Sequence, residues 1–354
     1  MTQEKTIAKE NTMKAAGINV HGDLEQLSLL DMPEPRCTPG EVVVAVRAAA
    51  LNHLDIWMRK GRAGVSLPMP HILGSDAAGI VHTVGEGVTN WKPGDEVVIN
   101  PGLDCGHCEF CLRGQHSQCR DFTIAGMGRH GTFAELVVVP ARNLQPRPIH
   151  LSWEEAAALP LAYLTAWRML MTQGALRAGE TVLVHGIGGG VAVAALQLAT
   201  LAGAQVIVTS SSVDKLARAG ELGAAHGILY RDGKVVESIQ EYTGGRGVDL
   251  VIDTVGAATW NINMEALRKG GRAIHCGVTT GPHVEMNLST VYWKQLSILG
   301  STMGSHEDFR ALLAAVGTSG LKPVVDSVLS LNEARAAQGR MESGAQFGKI
   351  VLTL

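Results

Sequence analysis

Apolar and polar residues alternate along this chain in two distinct rhythms. From about residue 161 to 302, short β-branched runs are separated by helix-forming stretches. Strands are predicted at residues 181–185, 205–209, 227–230, 249–254, 272–276 and 296–300, with helices at 214–222, 235–242 and 259–268 between several of them. Strands that alternate with helices bury both faces of a sheet, so this stretch predicts a parallel, doubly wound, six-stranded α/β unit. Residues 13–160 read differently. Runs at 41–51, 79–84, 96–100 and 132–139 are β-rich and separated by Gly/Pro turns such as Lys92-Pro93-Gly94-Asp95. With no comparably strong helices between them, they predict an antiparallel, barrel-like domain. After residue 302 come an amphipathic helix (307–316), a run at 324–329 and a last strand at 349–354. That is too little for a core of its own, so residues 303–354 are expected to pack back on the first domain. Residues 1–12 are expected to form a disordered extension, since patterning starts near Met13.

The two rhythms meet at residues 181–199, TVLVHGIGGGVAVAALQLA. A β-rich run leads through glycines into an apolar helix. Glycine lets backbone approach a pyrophosphate closely, while free amides and the helix dipole attract negative charge. Gly186-x-Gly188 opens like the dinucleotide fingerprint, but its third site holds Val191; read one step later, Gly189-x-x-Ala192 supplies the small residue. Gly188, Gly189, Gly190 and Val191 are the candidate phosphate contacts. NAD-specific sites usually end the second strand on an acid that binds the ribose hydroxyls. Here that strand runs Thr209-Ser210-Ser211-Ser212 with no acid, and Lys215 follows. Hydroxyls and an ammonium suit a 2′-phosphate, which points to NADPH through Ser211 and Lys215, with NADH still possible. Tyr230, closing the third strand, could complete the pocket. The plainer reading is a serine turn capping the helix that Asp214 begins.

Composition narrows the classes. At 354 residues and 46% hydrophobic content, two buried cores are affordable. A net charge of −3 without a basic run argues against nucleic acid. No apolar run approaches the roughly 18 residues of a membrane span, and the N-terminus MTQEKTIAKENT lacks a signal peptide's apolar centre, so a cytoplasmic protein is expected.

Four of the six cysteines, Cys105, Cys108, Cys111 and Cys119, fall within residues 101–121. Four thiolates closing tetrahedrally on Zn²⁺ leave no open position, the mark of a structural site. An iron–sulfur cluster would prefer a closer fourth cysteine followed by proline, whereas Arg120 follows Cys119. Disulfides do not suit a reducing compartment. Cys37 and Cys276 read as ordinary buried thiols.

Taken together, Leu73-Gly74-x-x-Ala77-Ala78-Gly79, Lys92-Pro93-Gly94-Asp95, the cysteine lobe, Leu159–Ala166 and the glycine turn resemble the medium-chain dehydrogenase/reductase superfamily over nearly the whole chain. The resemblance implies a GroES-like antiparallel β-barrel domain joined to a Rossmann sheet, with the active site between them. Zinc alcohol dehydrogenases of this superfamily also bind a catalytic zinc, and here the chain departs from their ligands. Asn52 stands at the first ligand, Leu54 at the relay hydroxyl, Gly74-Ser75-Asp76 at the usual Gly-His-Glu, and Leu161 near the late ligand. Leucine cannot bind zinc, and serine and asparagine bind it poorly.

Without that Lewis acid, reduction of an activated C=C bond is the easier chemistry. Asn52-x-x-Asp55 resembles the zinc-free quinone reductase and enoyl reductase branch, in which hydride from NADPH adds to the carbon β to a carbonyl. The resulting enolate needs hydrogen-bond donors and then a proton. Asn52 is the candidate donor, against the alternative of a structural amide; Asp55 orients the site; His53 is a candidate proton donor, against an ordinary surface histidine. At the nicotinamide end the resemblance implicates Thr165, Val255, Gly277, Val278, Thr279, Ser301 and Met303, and brings Lys349 toward the pyrophosphate. It also implies a homodimer or homotetramer through the sheet edge near residues 291–300. Substrates in view are quinones, enones and 2-enoyl thioesters. The competing readings are a zinc-dependent alcohol dehydrogenase and an NADPH-binding protein without turnover.

Overall fold

A run of buried β-branched residues makes Thr181–Val184 the central strand of a six-stranded sheet; in this strand all four residues are buried. The computed structural model describes residues 11–354. Across this sheet the order is His226–Leu229, Gln205–Ser210, Thr181–Val184, Val248–Asp253, Leu267–His275 and Ser297–Gly300, every pair parallel. From Thr181–Val184 the chain moves outward in one direction, then returns and builds in the other. The crevice beyond the carboxyl ends of Thr181–Val184, Gln205–Ser210 and Val248–Asp253 is therefore the ligand-binding position of such a sheet. All six expected strands are present.

The barrel-like unit is a seven-stranded sheet. Its path runs Leu144–Pro146, Glu96–Ile99, Asp76–Val84, Glu41–Ala50, Lys349–Thr353, Val325–Ser330, with Leu136–Pro140 paired to Glu41–Ala50. The tail returns as expected: Val351 pairs with Ala50 and Leu352 with Ala49, antiparallel. Lys349–Thr353 thus lies inside the barrel sheet, four of its five residues buried.

Some elements were missed or misjudged. Thr12 already pairs with Pro33 in a hairpin of Thr12–Ile18 with Ser28–Pro33, so ordered structure begins one residue before Met13; residues 1–10 of the expected extension lie outside the described residues. Of the run 132–139 only its second half is strand, Leu136–Pro140. Thr132 and Phe133 instead donate to the carbonyls of Gly74 and Leu73, which uses their backbone to hold the loop in front of Asp76. The helices His53–Lys60, Pro160–Trp167 and Ala334–Glu342 carried no strong periodic signal; Pro160–Trp167 is almost uniformly apolar because it is buried between the two units. It continues as a π-helical turn, Arg168–Gln173.

The two units touch where the chain turns into its last strand. Gly348 has φ +100°, and its amide donates to the carbonyl of Gly188 at 3.0 Å. A Cβ built at Gly348 would stand 2.3 Å from the Val324 carbonyl oxygen. Gly348→Ala therefore combines a disfavoured backbone with a backbone clash, and should cost about 3 kcal/mol or more. Thermal unfolding should show a lower Tm for this variant; an unchanged Tm would mean that the turn does not pin the two units.

Candidate active site

Asn52, Asp76 and Lys349 come from three separate elements and meet in one buried cluster. Asn52 precedes the helix His53–Lys60, Asp76 begins Asp76–Val84, and Lys349 begins Lys349–Thr353. Their relative exposures are 6%, 0% and 3%. Lys349 Nζ donates to Asp76 Oδ2 at 2.9 Å, to Asn52 Oδ1 at 2.6 Å and to the Leu51 carbonyl at 2.7 Å. Asp76 also accepts from Asn52 Nδ2 at 2.9 Å and from the Leu161 amide at 2.7 Å. An ammonium has three protons to give, and all three are spent. A buried ion pair holds only when its remaining valences are met in this way.

This geometry corrects two expectations. The Asn52 amide is committed to Asp76 and, at 3.4 Å, to the Ala50 carbonyl, so it is the structural amide rather than a donor aimed at substrate. The Lys349 ammonium is likewise held on Asp76 and Asn52 and is not free to reach a pyrophosphate, although its stem packs by the cofactor helix: a Cβ at Gly190 would stand 3.0 Å from Lys349 Cδ. Asp55 ties together the loops that carry Asn52 and Gly74. Its Oδ2 accepts from the Asn52 amide at 2.7 Å and its Oδ1 from the Gly74 amide at 3.1 Å. His53 is exposed and sits edge-on to Trp57, ring centroids 5.7 Å apart. Burial of its surroundings lowers its pKa, with Glu342 opposing and Lys60 reinforcing the shift. Ser75 is fully buried and donates to the Ala125 carbonyl at 2.8 Å.

The cofactor crevice assembles most of the remaining candidates. Gly188 has φ +121°, and a Cβ there would stand 2.9 Å from Lys215 Cδ, so Lys215 crosses over the glycine turn. Its Nζ donates to the Gly344 carbonyl at 2.6 Å. Gly189 precedes the helix Gly190–Leu201, with Val191 in its first turn. Ser211 lies in the turn before Val213–Glu221; the cap itself is Ser212, whose hydroxyl accepts from the Lys215 amide at 3.3 Å. Tyr230 follows the third strand and is 46% exposed. Val255 faces Gly186, 3.6 Å from where its Cβ would be. The 255 and 278 turns are laced together, Thr280 donating to the Val255 carbonyl at 2.9 Å and Thr279 to the Thr254 carbonyl at 3.5 Å. Gly277 has φ +104° and Val278 is 45% exposed. Thr165 packs on Met303, Oγ1 to Sδ 3.8 Å. A cavity of about 350 Å³ opens at Val278, Ser301 and Thr302. On its wall the buried Ser301 hydroxyl and His275 Nε2 have no protein partner, as expected where a ligand's polar group supplies one.

Beneath these turns runs a buried chain that the sequence did not reveal. Thr209 Oγ1 accepts from the Gly186 amide, at 3.3 Å, and lies 3.1 Å from His185 Nδ1. His185 Nε2 lies 2.8 Å from Asn263 Oδ1, and Asp253 accepts from Asn263 and from the Val255 and Gly256 amides. One set of hydrogen bonds therefore fixes both the glycine turn and the Val255 turn. The available signal was a polar residue at the carboxyl end of each strand, His185 just after Thr181–Val184 and Asp253 closing Val248–Asp253.

Among the described residues, two groups of His, Cys, Asp or Glu converge closely enough to share a metal ion. The first is Cys105, Cys108, Cys111 and Cys119, with sulfurs within 4.8 Å of one another. Backbone amides of Cys108 and Asp121 point at the Cys105 and Cys119 sulfurs, both at 3.3 Å, as donors that favour thiolates. The second group is Asp104, His116 and His306. Neither lies in the Asn52–Asp76 cluster. No helix among the described residues is long and apolar enough to cross a membrane.

Comparison with known proteins agrees with this geometry. Residues 38–149 match the alcohol dehydrogenase GroES-like domain and residues 190–318 the zinc-binding dehydrogenase model. A zinc-type alcohol dehydrogenase-like protein of Schizosaccharomyces pombe is 36% identical over 90% of this chain and 92% of its own. An acryloyl-coenzyme A reductase of Metallosphaera sedula is 30% identical over 96% of this chain and all of its own length (100%). Among solved structures, an NAD-dependent alcohol dehydrogenase superposes with TM-score 0.93 at 46% identity, covering 97% of this chain and 100% of its own.

Burial pushes the Asp55 carboxyl up to about 7, above the 3.8 of an unperturbed aspartate. The native state then keeps a proton that the unfolded chain has released, so between about pH 4 and about pH 7 this group makes stability fall as pH rises. Asp55→Asn cannot titrate. The wild type should lose Tm relative to that variant as pH rises from about 4 to about 7 and hold a constant difference above that; a flat difference across that range would show that the two amides hold Asp55 ionised.

Proposed function

The chain belongs to the zinc-binding, alcohol-dehydrogenase-like medium-chain dehydrogenase/reductase family, and within it we propose an NADPH-dependent reductase of an activated C=C bond or a quinone, working without a catalytic metal. One observation carries the reading. At the family's zinc-ligand positions the chain offers Asn52, Ser75 and Leu161, and the neighbouring carboxylate, Asp76, is spent on Lys349, Asn52 and the Leu161 amide. That donor set neither ligates a transition metal nor leaves a charge to acidify an alcohol. The acryloyl-coenzyme A reductase among the relatives acts on a C=C bond by its name, which supports the reading. The NAD-dependent alcohol dehydrogenase structure favours the second reading, an alcohol dehydrogenase.

NADPH supplies the hydride when bound. Lys215 and Ser211 would hold the 2′-phosphate, the Gly188–Val191 turn the pyrophosphate, and Ser301 with the Gly277–Thr279 turn the nicotinamide end. Val255 and Val278 would face the nicotinamide ring. The reduction so supplied would place hydride at the β carbon of an enone, and the enolate would then need a proton at its α carbon. Asn52, Asp76 and Lys349 are closed on one another, which leaves the exposed His53 as the candidate proton donor. The four cysteines hold one structural Zn²⁺. The exposed Leu288, Tyr292 and Trp293 beside the edge strand Ser297–Gly300 support a homodimer or homotetramer formed through that edge.

Chelator-washed protein should retain one zinc per subunit and oxidise NADPH with an enone, quinone or 2-enoyl thioester, but not reduce NADP⁺ with alcohols. Two tightly held ions together with alcohol turnover would overturn the proposal. Lys215→Ala should raise KM for NADPH about tenfold, the loss of one charge-assisted hydrogen bond, and leave KM for NADH nearly unchanged. Equal loss for both cofactors would place Lys215 outside the 2′-phosphate pocket.

A further inference from the structure

The second convergence of metal-binding side chains joins parts of the chain far apart in sequence. Asp104 precedes the first lobe cysteine, His116 lies between the third and fourth, and His306 opens the helix His306–Ser319. Their ligand atoms lie within 4.8 Å of one another. His306 Nε2 stands 2.9 Å from Asp104 Oδ2, and the His306 amide 3.4 Å from His116 Nδ1. The two imidazoles meet at 68°, centroids 4.4 Å apart. Asp104 and His306 are largely buried, their side chains 1% and 9% exposed, while His116 lines a cavity of about 640 Å³ open to solvent.

We propose that Asp104, His116 and His306 form an exchangeable site for a divalent transition-metal ion of the zinc class, distinct from the cysteine site. Two imidazoles and one carboxylate match a three-ligand zinc set, and the open cavity admits water as the fourth ligand. Tetrahedral ligands at zinc stand about 3.3 Å apart, so the His306–Asp104 contact opens by a few tenths of an ångström and the wider contacts close. The surrounding charges permit a cation. The lobe next door would still be net negative with Zn²⁺ on its four thiolates, and Cys111 Sγ lies 3.6 Å from Asp104 Oδ1. Arg113, Arg168 and Arg310 on the cavity wall are paired with Glu109, Asp308 and Glu307. Opposing it are Arg142, whose Nε stands 3.6 Å from Asp104, and the positive end of the His306 helix.

Ligation through Nε2 of a neutral His306 ring requires its one proton to sit on Nδ1, facing the Asn100 side chain 3.4 Å away, instead of on the nitrogen that faces Asp104. A ligating histidine donates its other nitrogen to such a partner, so Asn100 turns its oxygen inward and gives up its bond from Gly102, now 3.0 Å. The ion would clamp the cysteine lobe to the helix just after Ser301–Met303, fixing the lobe against the nicotinamide end of the crevice.

Full-length protein carrying lobe zinc only, titrated with Co²⁺ in equilibrium dialysis, tests this. A second equivalent should bind, with visible d–d absorption but without the thiolate band that cobalt in the lobe would give. His116→Ala and Asp104→Asn should lose that equivalent and keep the lobe zinc, which reports that they are folded. Wild type that takes up no second equivalent overturns the proposal whatever the variants do, as does a second ion retained in His116→Ala.

Discussion

The ion pair between Lys349 and Asp76 is the constraint around which the molecule is arranged. A fully buried carboxylate is expensive to leave unmatched, and the elements near it supply what it needs: a cation from the last strand, an amide side chain from Asn52 at the cap of the helix His53–Lys60, and a backbone amide from Pro160–Trp167. The position of each element therefore depends on the others. The last strand must enter the barrel where it does, and Gly348 must turn against Gly188, for the ammonium to arrive. The network thus lies beside the joint between barrel and nucleotide sheet.

The nucleotide sheet was legible in the sequence because its strands are apolar runs, the central ones buried on both faces, and most are separated by helices. Each, from Thr181–Val184 to Ser297–Gly300, gives its own local signal. The barrel was less legible at its ends. The Thr12–Ile18 hairpin is half exposed, and Pro160–Trp167 is so uniformly apolar that it shows no face. A segment packed between two units has no polar side to reveal its period.

The site divided along the same line. The cysteine lobe and the glycine turn are local in sequence, and the structure brings each together as read. Lys349 and Asn52 stand 297 positions apart, and no spacing rule links them. Their chemistry misled for the same reason: a lysine and an amide near a cleft read as donors to a ligand until the partner that consumes them, Asp76, is seen between them. Asp104 and His306, 202 positions apart, were hidden likewise.

The placement of Lys349–Thr353 has a consequence for how the chain reaches this state. The barrel is assembled from two stretches with the whole nucleotide sheet threaded between them, so its central strand pairing closes one of the longest loops in the molecule. Closure of so long a loop in an unfolded chain is slow, and contacts of this range come late. The parallel sheet, whose pairings span far fewer residues, can collapse first and draw its two ends near each other. On that order of events the nucleotide sheet is the scaffold on which the barrel completes itself, and the Gly348–Gly188 contact is among the last bonds to form.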